Sequence, residues 1–397
     1  MAAVITVALE LLVGAVALAV LLVSTVLFIE VMAAILGADS PEPKPGERGS
    51  VAVLIPAHDE SLLIASTIRS IVPQLLEHDR LLVVADNCTD DTADIAAAEG
   101  AEVVVRTVAE RRGKGYALDA GVDHFRTAPP SVVLIVDADC HVSDGTVDRL
   151  VRATGATGKP VQALYLMQAA ADAPAPVRIA EFAWLVKNKV RPEGLNRLGL
   201  PCQLTGSGMA FPWAALSTAT LATGHIVEDL KLGLELARKG SAPMLCLGTL
   251  VTSEFPSSSA GGKTQRTRWE HGHLSVISRD GPRYLLHALR ARDWKLLAMT
   301  LDLCVPPTAL LVLLGVLSWV CGALLLLLTG SVASLTAATV AVGLIAASVV
   351  SSWLVYARRL LPFSDLLLGA TYALRKIPLY AHFLVARQID WVRSRRD

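Results

Sequence analysis

One stretch constrains this chain more than any other. From Leu303 to Ala357 the sequence runs for 55 residues without a charged side chain. A spanning helix needs about 20 apolar residues, so this run is too long for one span and suits two joined by a short turn. Thr329-Gly330-Ser331 supplies that turn. A second uncharged run, Leu11 to Ile29, covers 19 residues between Glu10 and Glu30. No Lys or Arg precedes it, and it exceeds the ~7–15 apolar residues of a cleaved signal, which favours a retained anchor. About three transmembrane helices are expected.

Charge then orients them. The 397 residues carry 36 Lys+Arg against 36 Asp+Glu. A zero balance argues against a nucleic-acid partner, which calls for a basic excess. The 53% hydrophobic content excludes a disordered chain. The zero hides a sorting, because Lys263 to Lys295 and Arg358 to Asp397 each hold eight basic and three acidic residues. Both basic blocks flank the hairpin, whereas its turn is uncharged. The positive-inside rule places both flanks, and the region from Asp39 to Lys295, in the cytoplasm, with the N-terminus outside the cell (inner) membrane. Leu360 to Val385 is interrupted by Asp365, Arg375, Lys376 and Pro378, and reads as an interfacial or re-entrant helix. Trp391 to Asp397 reads as an aromatic, basic anchor at the inner leaflet. The expected organisation is an N-terminal transmembrane helix over 1–38, a linker over 39–49 and a soluble domain over 50–275. An interfacial basic segment over 276–302, the hairpin over 303–357 and an interfacial helix with a basic tail over 358–397 complete it.

The soluble region alternates. Val51–Ile55, Leu81–Ala85, Glu102–Val105 and Val132–Val136 read as strands, with helices near Ser61–Leu76, Thr92–Glu99 and Gly115–Phe125. This alternation predicts an α/β domain with a mostly parallel sheet and helices on both faces. Ligands of such sheets bind outside the carboxyl ends of the strands. Polar residues gather there, in Pro56-Ala-His-Asp-Glu60, at Asp86 and in Asp137-Ala-Asp139. No G-x-G-x-x-G and no Walker loop follows any strand, which disfavours a dinucleotide or P-loop site. The six cysteines, at 88, 140, 202, 246, 304 and 321, form no C-x-x-C and no metal-ligand spacing, and read as buried, reduced thiols.

Several short patterns carry chemistry. Alternate carboxylates at a strand end, as at Asp137 and Asp139, suit a hard divalent cation that shares oxygens with a phosphate; a solvated turn is the bland alternative. Asp86 can accept hydrogen bonds from a base or ribose, while Asp90 and Asp91 suit helix capping. Lys114, between Gly113 and Gly115, can approach phosphate oxygens or sit in a solvated loop. Thr205-Gly-Ser-Gly208 is a permissive turn that a substrate could approach closely, or a plain tight turn. Glu228 and Asp229 open an amphipathic stretch, where acidic residues are also favoured for dipole reasons. Gln265, Arg268 and Trp269 share a helix face and combine an amide, a fixed cation and a stacking ring; a basic, aromatic membrane-surface helix is the bland alternative.

The order Asp86, Asp137-x-Asp139, Glu228-Asp229, Gln265-x-x-Arg268-Trp269 resembles the processive-type branch of the family 2 inverting glycosyltransferases. Pro56-Ala-His-Asp-Glu60 and Gly113-Lys-Gly-x-Ala-Leu118 match further family stretches, and the resemblance spans roughly Val51 to Trp269. It implies a GT-A (Rossmann-like) domain that binds a nucleotide sugar, UDP-linked, with Mg²⁺ or Mn²⁺. By the resemblance, Asp59, Glu60 and Asp86 lie near the nucleoside, and Lys114 near its phosphates. Asp137 and Asp139 hold the sugar diphosphate and metal, with Asp139 the more direct ligand. Asp229 is the general base. Gln265, Arg268 and Trp269 bind the diphosphate and frame an acceptor site with Gly206, Ser207, Gly208 and Glu228. About three spans are fewer than a polymer channel uses. This favours transfer of one or few sugars to a lipid, lipid-linked or glycan acceptor at the membrane, with a short-chain processive synthase as the alternative. A non-catalytic nucleotide-sugar-binding scaffold is a further alternative, disfavoured by the presence of Asp137, Asp139 and Asp229. A transporter is disfavoured by the absence of charge in the hairpin.

Overall fold

The computed structural model describes residues 2–38, 46–224, 226–256 and 259–385. The expected anchor at 391–397 lies outside these residues. The chain divides into two compact units. One comprises Asp39–Ala170 with Gly199–Met299; the other comprises Met1–Ala38, Ala171–Leu198 and Thr300–Arg387.

The first unit is built on one eight-stranded sheet in the order β3-β2-β1-β4-β7-β6-β8-β5. Its strands are β1 (Val51–Ala57), β2 (Arg80–Asp86), β3 (Glu102–Arg106), β4 (Val132–Ile135), β5 (His141–Val142), β6 (Val161–Gln168), β7 (Met209–Pro212) and β8 (Met244–Glu254). β1 pairs in parallel with β2 and β4, and β2 with β3, as the alternating sequence predicts. Val51 to Ile55 and Leu81 to Ala85 are buried without a break, the mark of strands covered on both faces. The other half of the sheet departs from pure parallel pairing. β7 runs antiparallel to β4 and β6, β5 runs antiparallel to β8, and β6 pairs in parallel with β8.

Leu54, Leu82, Val84, Ile135 and Phe211 meet Leu118 and Phe125 in the core. The helix expected from Ser61 to Leu76 is shorter, Ile64–Ile71, and tightens into a 3₁₀ turn over Val72–Gln74. Pro73 lies inside that turn and cannot continue the helical hydrogen-bond ladder. In the 276–302 segment, Leu286, Leu289 and Trp294 are exposed alongside basic side chains.

Among the described residues, the second unit holds three helices long and apolar enough to cross a membrane, Val4–Leu36, Thr308–Thr329 and Ala333–Ala357. The latter two meet at a left-handed Gly330, φ 77°. Val20, Leu27, Val31, Phe182, Val186, Ile345 and Leu361 form its core. Residues 171–198, which follow β6 in sequence, belong to this unit as the helices Ala175–Leu185 and Arg191–Arg197 joined by a π-helical turn. Arg191 is buried between Glu30 (2.7 Å) and Asp302 (2.5 Å). The segment read as interfacial is three short helices, Phe363–Leu367, Gly369–Arg375 and Ile377–Val385.

Candidate active site

A cleft opens at the carboxyl ends of β1, β2 and β4. Pro56, His58, Glu60 and Asp86 line one side, Arg112, Gly113 and Lys114 a second, and Asp137, Asp139, Gln265 and Arg268 the rest. Parallel strands that end together bring their terminal loops to one edge, which is why residues so far apart in sequence share it.

Each wall is fixed locally. Asp86 is buried and ion-paired to Arg106, and the His58 ring nitrogen Nδ1 lies 2.6 Å from the Asp86 carbonyl oxygen. Asp59, in a left-handed conformation (φ 52°), accepts a hydrogen bond from the Thr89 amide (2.6 Å). Asp90 accepts from the Thr92 amide (3.1 Å) at the start of the next helix, whereas Asp91, which occupies the N-cap position, makes no side-chain cap bond, contrary to its expected capping role. Thr67 Oγ1 donates to the Ala138 carbonyl (2.8 Å) and anchors the loop that carries both Asp137 and Asp139.

The centre of the site is a charge cluster. Lys114, the first residue of the helix Lys114–Phe125, places Nζ 2.5 Å from Asp137 Oδ1 and 4.0 Å from Glu228, and donates to the Gly206 carbonyl at 2.6 Å. Burial works against the ammonium, but Asp137, then Glu228 and Asp229, outweigh it, so Lys114 lies above its ordinary value. Burial pushes Glu228 up; Lys114 pulls it back and Asp229 adds to the rise, leaving it at about 7. Burial lowers Arg268 from its usual range, opposed by Glu228 and Asp137.

Gly206 and Gly208 shape the turn over this cluster. Both have positive φ, 92° and 68°, a region that side chains other than glycine enter at a cost. A β-carbon at Gly206 would lie 3.4 Å from Asp229 Oδ2, 3.7 Å from Lys114 Nζ and 3.8 Å from Asp137 Oδ2. The turn therefore brings backbone against the point where Asp229, Lys114 and Asp137 converge.

Asp137, Asp139 and Cys140 each offer a ligand atom, all within 4.8 Å of one another. Two hard carboxylate oxygens suit Mg²⁺ or Mn²⁺, and Gln265 Oε1, buried, has no hydrogen-bond partner among the described residues. The donor set fits a divalent cation. Burial, then Asp137, pushes the Cys140 thiol up to about 12, so it stays protonated. Trp269 is half-buried on the same helix as Gln265 and Arg268.

Sequence reasoning overlooked His58, Arg106, Arg112 and Cys140. Arg112 stands two residues before Lys114 and Cys140 directly after Asp139, so adjacency was a usable signal. Arg106 was not legible, because only the β2–β3 register sets it beside Asp86. Of the six thiols, Cys140 and Cys202 are buried, while Cys88, Cys246, Cys304 and Cys321 are only partly so.

The site is thus built from acidic strand ends of a mixed sheet and a carboxylate cluster bridged by Lys114. The chain belongs to the family described as "Glycosyltransferase like family 2", whose sequence model matches residues 47–272. An uncharacterized glycosyltransferase of Mycobacterium tuberculosis is 36% identical over 102 residues, 26% of this chain and 42% of that protein. A probable glycosyltransferase of Bacillus subtilis is 34% identical over 101 residues, 23% of each chain. The chain thus spans less than half the length of the curated relatives it matches. Among solved structures, a mannosyltransferase from Pyrobaculum calidifontis, in complex with GDP-Man and Mn²⁺, aligns over 95% of this chain and 100% of its own with TM-score 0.54 and 16% identity. That likeness shows the fold: an α/β GT-A domain with transmembrane helices.

Proposed function

We propose that this protein is an inverting glycosyltransferase of the processive-type branch. It moves a sugar from a nucleotide sugar, UDP-linked, to a hydroxyl of a lipid, lipid-linked or glycan acceptor at the inner membrane face. The observation that carries this reading is the convergence of Asp229, Lys114 and Asp137 within 3.4, 3.7 and 3.8 Å of one point beside the Gly206 backbone.

The chemistry follows from the residue types. An acceptor hydroxyl is a weak acid and needs a base as it attacks. Asp229 takes that proton. The new bond joins the acceptor oxygen to the anomeric carbon, while the bond from that carbon to the diphosphate oxygen breaks and its electron pair leaves with the nucleoside diphosphate. One displacement inverts the anomeric configuration. Lys114 and Arg268 supply positive charge where the leaving group gathers negative charge. Asp139 and Asp137 would hold Mg²⁺ or Mn²⁺, which supplies further charge stabilisation when bound. Asp86 and Glu60 line the nucleoside side, and Gln265, Trp269 and the 206–208 turn the acceptor side.

The exposed Leu286, Leu289 and Trp294 beside Arg283, Arg290, Arg292 and Lys295 support a membrane-surface location for this part of the chain. With the hairpin flanks cytoplasmic, the N-terminus is outside.

The test is nucleoside diphosphate release by the full-length protein with UDP-, GDP- and dTDP-sugars, Mg²⁺ or Mn²⁺ and membrane lipid extract. The GDP-sugars are included because the Pyrobaculum structure holds one. Transfer that Asp229→Asn lowers by about 10²-fold or more, with donor binding kept, supports the base. Silence across the panel from folded protein overturns the proposal.

A further inference from the structure

Cys140 has no part in the chemistry proposed above and Ser207 enters it only through the backbone of the 206–208 turn, yet both side chains are buried, at 2% and 0% exposure. Their polar atoms form one continuous chain. The Asp137 amide donates to Ser207 Oγ at 3.1 Å, the Ser207 hydroxyl donates to Cys140 Sγ at 3.3 Å, and the Cys140 thiol donates to Asp139 Oδ1 at 3.5 Å. The Tyr165 hydroxyl lies 2.9 Å from Ser253 Oγ and acts electrostatically on the Cys140 thiol. Each hydroxyl and thiol has a single hydrogen. Because Cys140 spends its own on Asp139, Ser207 must donate to it. The chain has one direction and ends on a carboxylate oxygen.

The turn that carries Ser207 is itself held. The Gln162 side chain accepts from the Thr205 amide at 2.9 Å and donates to the Ser207 carbonyl at 2.8 Å. Gln162 is 2% exposed on β6. Ser207 is therefore fixed to the sheet, Cys140 to Ser207, and Asp139 to Cys140.

We propose that Cys140 and Ser207 are positioning residues for the cation-binding carboxylates. The thiol claims Oδ1 of Asp139 as the Lys114 ammonium claims Oδ1 of Asp137, and a carboxylate held at one oxygen presents the other in a fixed direction. This inference rests on the reading of Asp137 and Asp139 as metal-binding residues. It gives Ser207 an inward task, and it gives the thiol a use that needs its hydrogen.

Groups that orient metal ligands commonly contribute about 10–100-fold to metal affinity. The experiment measures Mn²⁺ binding to the full-length protein with UDP, GDP or dTDP, from the paramagnetic resonance signal of free Mn²⁺. Cys140→Ala is expected to weaken binding about tenfold or more. Cys140→Ser, which keeps one donor, should recover most of that loss, and Ser207→Ala should shift affinity in the same direction as Cys140→Ala. Metal-free nucleotide affinity and melting temperature serve as fold controls; if Cys140→Ala does not fold, Ser207→Ala and Cys140→Ser carry the test. Equal Mn²⁺ affinity in the wild type and both alanine variants overturns the positioning role while the glycosyltransferase reading stands. A thiolate-to-metal charge-transfer band with Cd²⁺, lost in Cys140→Ala, overturns it in favour of direct ligation. No Mn²⁺ binding by folded wild type with any of the three nucleotides overturns both readings.

Discussion

Lys114 and Asp137 form a charge pair at the centre of the cleft, 2.5 Å apart, and the same ammonium holds the Gly206 carbonyl at 2.6 Å. One cation thus ties the helix that begins at Lys114 to the loop after β4 and to the turn before β7. Glu228 and Asp229 also act on it.

Removing that cation should leave three carboxylates facing one another. Lys114→Met is expected to weaken nucleotide-sugar binding about tenfold or more, since a charge-assisted hydrogen bond contributes roughly 1.5–3 kcal/mol. Lys114→Arg should recover little, because a planar fork does not replace a compact ammonium. Calorimetric titration with the donor checks this; unchanged affinity in Lys114→Met would remove Lys114 from the binding site.

Glu228 gives the metal-free protein a pH dependence of definite sign. Its ordinary value is 4.5 and it is held at about 7. As pH rises past 4.5 the unfolded chain releases this proton first, so stability falls until about 7 and then levels off. The loss amounts to roughly 3 kcal/mol at most. Glu228→Gln lacks the titration. Melting temperatures across this range should favour the variant increasingly as pH rises, and parallel curves for the two proteins would refute the assignment.

The two glycines of the turn should fail differently. At Gly208 a β-carbon would meet Ala163 Cβ at 2.8 Å and Val251 Cγ2 at 2.9 Å, at φ 68°. Gly208→Ala combines backbone strain with overpacking and should destabilise by about 3 kcal/mol. At Gly206 the nearest contact is Asp229 Oδ2 at 3.4 Å. Gly206→Ala should fold with a loss of about 1–2 kcal/mol, yet lose most transfer activity because its methyl enters the point of convergence. Thermal melting and turnover, measured together, separate the two; full activity in Gly206→Ala would take the turn out of the acceptor site.

In the membrane-helix unit, Arg191 compensates both Glu30 and Asp302, with side-chain exposures of 7%, 3% and 6%. Arg191→Met strands two buried carboxylates and should destabilise by about 3 kcal/mol or more. Arg191→Met with Glu30→Gln and Asp302→Asn should recover a large part of it. Thermal melting in detergent reads both, and a single variant as stable as wild type would show the pairs to be idle.

Much of this was legible in the chain. Uncharged runs marked the helices fit to cross a membrane, because water-to-lipid transfer penalises each charge independently of fold. Buried strands β1, β2 and β4 showed as unbroken apolar runs, and their polar ends marked the cleft. The Asp137-x-Asp139 and Gln265-x-x-Arg268 pairs line one cleft. The mixed half of the sheet was less visible: β5 has two residues and β7 four, too few for a period to register. Membership of 171–198 in the membrane-helix unit was hidden as well, since amphipathic helices do not encode which apolar surface they cover.

The sequence by itself determined the apolar spans, the parallel strands and the residue types a sugar transfer needs, because these depend on local composition and period. Only the tertiary structure decided which charges meet. Lys114 on Asp137, Arg106 on Asp86, Arg191 between Glu30 and Asp302, and the thiol of Cys140 on Asp139 depend on register and packing. Electrostatic interaction falls with distance and grows with burial, and neither is defined until the chain has folded.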